Sequence, residues 1–247
     1  MSLNKVNYMS LVKKQYQFKL KAYLNVFNSL IILQLFSILI AFNPTISHGM
    51  SGYSYHGSLD SYTADFSVVF TLLWGFITAF LITTRAYRED DYTFVTNNQT
   101  QVWSNSLFLL TISFLSGLTA MLSGSLYRVI FYFAKDTNEI IWHHVTLTDF
   151  FIGFMATSMY ILLFCSLGYL AGTLVQLHKV FVFILPVLFI GLLIISGNAG
   201  KNNFLVNSFL FYFQEGNLIL FTLKILVTSG LLFSLSMLLI RNKEVRV

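Results

Sequence analysis

Six long stretches of this chain hold almost nothing but apolar side chains, and that feature limits the fold more than any other. They run Tyr23–Phe42, Phe66–Thr83, Leu107–Phe133, Leu147–Val175, Val180–Ile195 and Leu218–Ile240. An apolar run of about 18 residues or more matches, as a helix, the hydrocarbon thickness of a bilayer. No water is present there to satisfy backbone N–H and C=O groups, so only helices and closed barrels cross it. The runs are continuous rather than alternating, which selects helices over barrel strands. Composition agrees: of 247 residues, 56% are apolar, 17% aromatic and only 10% charged, more apolar surface than a soluble domain of this length hides. The expectation is an all-α integral membrane protein, a single transmembrane domain over 1–247 with six spans at 23–42, 66–83, 107–133, 147–175, 180–197 and 218–240. The fifth is the shortest and contains Pro186, so a kink or an extension to Gly197 is expected there. The third and fourth are long enough to tilt or protrude.

Orientation follows from the basic residues. Lys5, Lys13, Lys14, Lys19 and Lys21 precede the first span, Arg85 and Arg88 follow the second, Lys179 follows the fourth, and Arg241, Lys243 and Arg246 follow the sixth. The opposite side has only Arg128, Lys135 and Lys201. The positive-inside rule therefore places both termini in the cytoplasm. With the acidic residues included, the inner side carries +7 and the outer side −3, and Lys224 inside the sixth span completes the net +5. The basicity is thus a topology signal rather than a nucleic-acid footprint, and anionic inner-leaflet lipid is its counter-charge. Nothing before the first span reads as a cleavable leader. Cys165, the single cysteine, lies in an apolar run and reads as packing.

The connection from Arg85 to Trp103, RAYREDDYTFVTNNQTQVW, is the most informative one. It starts with charges, Arg85, Arg88, Glu89, Asp90 and Asp91, and ends in amides. Tyr92, Phe94, Val95 and Trp103 give it apolar anchors, so a short helix along the cytoplasmic membrane surface is expected. On the outer side, Phe204 to Phe213 is too short to cross; a re-entrant or interfacial helix would bury Phe204, Phe209, Phe211 and Phe213. His48, His56, His143 and His144 also lie outside with Trp142 and Asp60, in a spacing that fits no zinc motif, and read as interfacial polar residues.

Within the spans, Asn25, Asn28 and Gln34 of the first bond between helices or line a cavity. Lys224 and Arg128 either snorkel to an interface or line a polar pathway. Gly168 with Gly172, and Ala120 with Gly124, are small pairs that let helices approach closely, within the chain or between subunits. No catalytic motif is present. GNAGKN at Gly197 to Asn202 lacks the spacing and terminal hydroxyl of a phosphate loop, and no HExxH, GxSxG or CxxC occurs. The glycosylation match at Asn98 to Thr100 falls on the cytoplasmic side.

This layout resembles the six-helix permease subunits of type-2 ABC exporters. The similarity rests on the basic segment before the first span, the stretch RAYREDDYTFVTNNQTQVWSN after the second, and FLVNSFLFYF before the sixth. It covers nearly the whole chain, and where many members carry a Lys this chain has Ser104 and Asn105. The resemblance implies that Arg88 to Trp103 is a coupling helix docking on a separate ATPase, two permease chains working with two such ATPase subunits in a bacterial plasma membrane. ATP and Mg would sit on the partner, with no cofactor bound by this chain, and no nucleic acid is involved. The chain's part would be a change of access for an amphipathic or hydrophobic peptide, antibiotic or lipid-like cargo, with Phe204 to Phe213 near the exit. Two other readings stay open: a non-transporting immunity or scaffold protein, and a membrane enzyme using His143, His144 and Asp149.

Overall fold

A computed structural model describes residues 8–41, 65–91, 98–134, 146–198, 207, 210–212 and 215–241, and every statement below concerns these. They form helices and short turns, with no strand among them. In chain order the helices are α1 (Tyr8–Ala22), α2 (Leu24–Ala41), α3 (Asp65–Ile82), α4 (Arg85–Asp91), α5 (Asn98–Ala134), α6 (Leu147–Leu177), α7 (Phe181–Asn198) and α8 (Leu218–Arg241). Four are long and apolar enough to cross a membrane: α2, α5 over Asn98–Ile130, α6, and α8 over Leu218–Ile240. Shorter apolar helices cover Phe66–Ile82 and Phe181–Gly191.

Helix boundaries differ from expectation in two places. The basic segment before the first span is itself a helix, α1. Its buried positions, Val12, Gln15 and Lys19, recur at helical spacing, while Lys13, Lys14, Gln17 and Lys21 are exposed. It runs almost without interruption into α2: the Tyr23 N–H donates to the Lys19 carbonyl at 3.0 Å and the Val26 N–H to the Tyr23 carbonyl at 3.0 Å. The second difference is in α5, which begins at Asn98 rather than Leu107, so the amide-rich end of the connection continues directly into the span. Only Arg85–Asp91 forms a separate short helix. It starts where Thr83 and Thr84 close α3 with tightened turns to Phe80 (3.1 Å) and Leu81 (2.9 Å).

α6 sits at the centre, packed along α3, α5 and α8. It starts with a capping box in which the Asp149 N–H donates to Thr146 Oγ1 at 3.2 Å and the Thr146 N–H to Asp149 Oδ2 at 3.1 Å. Asp149 is therefore occupied as a helix cap. The close approach of α6 to its neighbours is permitted by glycine: a Cβ on Gly168 would overlap the carbonyl oxygen of Phe76, one on Gly172 would overlap the Thr83 hydroxyl, and one on Gly117 of α5 would overlap the Ser158 hydroxyl. The Gly168 and Gly172 pair thus works within the chain, against α3.

Contacts along these helices fix their directions. Asn98 Nδ2 donates to the Ile240 carbonyl at 3.1 Å, bringing the end of α8 to the start of α5. The ends of α3 and α6 meet through Gln176, whose Nε2 donates to the Thr83 carbonyl. The α1–α2 junction reaches the same end, where the Tyr23 ring stands 5.8 Å from that of Phe108. We call this the N-terminal end; Ala41, Tyr127, Asp149 and Leu218 mark the far end.

Candidate functional site at the N-terminal end

The N-terminal end gathers most of the charged residues that the sequence singles out, and the structure joins them to the bundle by a buried polar network. Lys19 is only 1% exposed, although α1 is otherwise rich in solvated lysines. Its Nζ donates to Ser104 Oγ at 3.0 Å and to Asn105 Oδ1, both on α5. Asn105 Nδ2 in turn donates to the hydroxyl of Tyr169 on α6 at 3.2 Å. The Tyr169 ring stands 5.6 Å from that of Phe233 on α8. One chain of contacts therefore links α1, α5, α6 and α8. A buried ammonium is tolerated only where donors and acceptors replace its hydration, and Ser104 and Asn105 supply acceptors here.

One turn earlier on the same face, Gln15 is fully buried, and neither its Oε1 nor its Nε2 has a hydrogen-bond partner. The α1–α5 seam is thus polar and incompletely satisfied, whereas α3 and α6 are close-packed through Gly75, Gly168 and Gly172. Such a seam is weaker per unit area, because an unsatisfied buried polar group costs about 1–3 kcal/mol.

α4 joins the same end through aromatics. The Tyr23 hydroxyl donates to Asp90 Oδ2 at 3.4 Å, and the Tyr23 and Tyr87 rings meet edge to face at 4.9 Å. Arg85 and Glu89 form an exposed pair at 2.7 Å on the outer side of α4, a geometry of little energetic weight. The Arg88 Nε is buried without a partner. Asp91 ends the helix, and Trp103, on the first turns of α5, is 53% exposed. Tyr92, Phe94 and Val95 lie outside the described residues.

The residues expected along a pathway are not brought together. Asn25 and Asn28 are exposed on α2 near the N-terminal end. Gln34 is buried, with Nε2 donating to Thr71 Oγ1 at 3.2 Å and Thr119 Oγ1 at 3.1 Å, so it ties α2 to α3 and α5. Lys224 is near the far end, paired with Glu215 and standing 4.0 Å over the Phe211 ring. The Tyr160 hydroxyl donates to the Tyr212 carbonyl at 3.1 Å, fixing that short segment to α6. Of the outer apolar stretch, Phe211 is exposed and part of this cluster; Phe204, Phe209 and Phe213 lie outside the described residues, as do His48, His56, Asp60, Trp142, His143 and His144. Arg128 is exposed on α5. No group of three or more metal-ligating side chains occurs among the described residues.

From sequence, Lys19 is one of the basic residues before the first span and Gln15 carries no signal of its own. The signal is present in the three- and four-residue spacing of Val12, Gln15 and Lys19, but a polar face is not recognised as buried until its polar partner, Ser104 with Asn105, is seen opposite. No family model, no curated protein and no solved structure matches the chain.

Proposed function

We propose that the chain is the membrane-spanning subunit of an ATP-driven exporter of the type-2 ABC kind, crossing a bacterial plasma membrane six times with both termini inside. One observation carries this reading: a short surface helix, α4, is tied through Tyr23 to the junction of α1 and α2, while Lys19 ties α1 into α5 and α6. Such a linkage transmits a push on the surface segment into the spans. The segment 85–103 is then the contact for a separate ATPase, which holds the ATP and Mg, and the chain itself has no catalytic role. Two permease chains with two ATPase subunits make the working unit, switching access from one side to the other. The cargo class we assign is an amphipathic or hydrophobic peptide, antibiotic or lipid-like molecule, because the spans hold few charges to compensate a charged solute.

The close-packed interior supports placing the path between two chains rather than through one. Its void at the far end, lined by Ser37, Ser67, Ser123 and Tyr127, measures about 10 Å³, room for about one water. The same packing favours a second reading, an immunity or scaffold protein that needs no path at all.

Purification of the tagged chain from its native membrane, with identification of its partners and an ATPase assay, separates the two. The exporter reading expects an ATPase subunit that is lost when Phe94 and Val95 are changed to Asp. Recovery with no nucleotide-binding partner and no ATPase activity overturns it in favour of the immunity or scaffold reading.

A further inference from the structure

Beside the buried Lys19 network, an open depression of about 350 Å³ lies between the α1–α2 junction and α4. It is lined by Ala22, Val26 and Ala86, by Tyr23, which is buried, and by the half-buried Tyr87 and the exposed Asp90 and Asn25. The chemistry of that lining is specific. A carboxylate stands within 3.4 Å of one tyrosine hydroxyl, and two tyrosine rings meet at 4.9 Å beside it. Carboxylate charge and the negative faces of aromatic rings are together what recognises an ammonium group. Lys21, exposed at the end of α1, immediately precedes the lining residue Ala22, so a positive charge adjoins the depression along the chain. The depression thus combines a carboxylate and two tyrosines with small apolar side chains, and a lysine adjoins it at the end of α1.

Its depth in the bundle narrows the ligand. It opens where the apolar run of α2 begins, at Leu24, and just beyond where that of α3 ends, at Ile82. In a chain whose apolar helices cross a bilayer, that level is the headgroup layer. We propose that the depression binds the headgroup of a zwitterionic aminophospholipid of the phosphatidylethanolamine class. The primary ammonium rests against Asp90, Tyr23 and Tyr87, the phosphate faces Lys21, and the first carbons of the lipid cover Val26. A primary ammonium donates hydrogen bonds to the carboxylate that a choline headgroup cannot donate, and an anionic headgroup would meet Asp90 with like charge. The proposal rests on the membrane reading of the chain alone, not on the exporter reading.

The test is native mass spectrometry of the purified full chain, delipidated and then offered an equimolar mixture of phosphatidylethanolamine, phosphatidylcholine and phosphatidylglycerol with identical acyl chains. Retention of the ethanolamine lipid over each of the others by about fivefold is expected, the scale of one added cation–π or charge-assisted contact. Asp90→Asn and Tyr87→Ala should each remove that preference, while Glu89→Gln, exposed on the same short helix, should keep it. A thermal melt of each variant identifies any that fails to fold, and the two variants act on different halves of the cage. Equal retention of ethanolamine and choline lipids by the unaltered chain overturns the proposal, as does preference for the glycerol lipid or a preference that survives Asp90→Asn. Displacement of the lipid by millimolar soluble phosphoethanolamine would overturn the assignment to lipid and give the site to a soluble ligand.

Discussion

α6 and α7 are neighbours in sequence, both strongly apolar and both apolar all round, yet one is the centre of the bundle and the other stands at its edge. α6 buries Thr157, Ser158, Ser166, Gly168, Gly172 and Thr173 together with its larger Ile161 and Tyr169. α7, reading FVFILPVLFIGLLIISGN, leaves Val182, Phe183, Val187, Leu188, Phe189 and Ile190 exposed and packs on the rest of the chain less than any other long helix. Hydrophobicity does not separate these two roles, because lipid tails are as apolar as leucine and provide no drive for one apolar helix to seek another. What separates them is the small and hydroxylated residues. Gly, Ser and Thr bring backbones close and give many short-range contacts, and their hydroxyls are satisfied by their own helix, as when Ser158 donates to the Phe154 carbonyl at 2.8 Å and Ser166 to the Leu163 carbonyl at 2.7 Å.

The sharpest way to break this comparison is to put the same side chain on both helices. Gly168→Val places a branched group where a single Cβ already overlaps the Phe76 carbonyl oxygen, a backbone atom that cannot turn away. It should cost about 3 kcal/mol or more, at or above the upper end for overpacking. Gly191→Val on α7 meets nothing within 4 Å and should leave stability within about 0.5 kcal/mol. Thermal unfolding of the detergent-solubilised chain reads both. Equal losses would mean that α7 is as tightly packed as α6.

Next in size is the buried cation. Lys19→Met strips Ser104 and Asn105 of their donor within a sealed seam, and we expect a loss of about 2 kcal/mol, in the range for leaving buried polar groups unpaired. Lys14→Met, exposed on the same helix, should change stability by less than about 0.5 kcal/mol. If the two variants melt alike, Lys19 does not anchor α1.

These two cases also show where the sequence was and was not legible. Apolar run length alone brought out the helices α2, α3, α5, α6, α7 and α8, since each is dictated by local composition. Small-residue spacing brought out Gly168 and Gly172, though not that their partner is α3, because the facing surface at Phe76 and Thr83 is remote in sequence. The helix α1 is not legible from composition, because its lysines read only as a basic segment; Lys13, Lys14 and Lys21 are exposed, whereas Lys19 is buried. The start of α5 was placed nine residues late because Asn98 to Ser106 is polar, and a polar stretch is recognised as helical only through what it packs on, here α1. Of the surface connection, Arg85, Arg88, Glu89, Asp90 and Asp91 do form a short helix, and Trp103 belongs to the span that follows.

A smaller effect is expected in the middle of the bundle. Gln34→Leu removes two hydrogen bonds, but Thr71 still donates to the Ser67 carbonyl at 2.6 Å and Thr119 to the Ser116 carbonyl at 3.0 Å. The threonines keep partners within their own helices, so the loss should be about 1 kcal/mol, as for interhelical polar contacts in membrane proteins. A loss as large as that of Lys19→Met would show that Gln34 holds α2 in place by itself.

The smallest expected change has the opposite sign. Gln15 is sealed in the α1–α5 seam with both amide atoms unpaired, and methionine has nearly its length and volume without the polar end. Gln15→Met should therefore raise stability by about 0.5 kcal/mol, a fraction of the desolvation cost of an unpaired buried amide. The sign is what matters. If stability rises, the unpaired amide of Gln15 weakens the contact of α1 with α5, and the polar end of the bundle is held less firmly than the α3–α6 seam. If stability instead drops, Gln15 has a partner that forms in the membrane, and α1 is fixed as firmly as the apolar core.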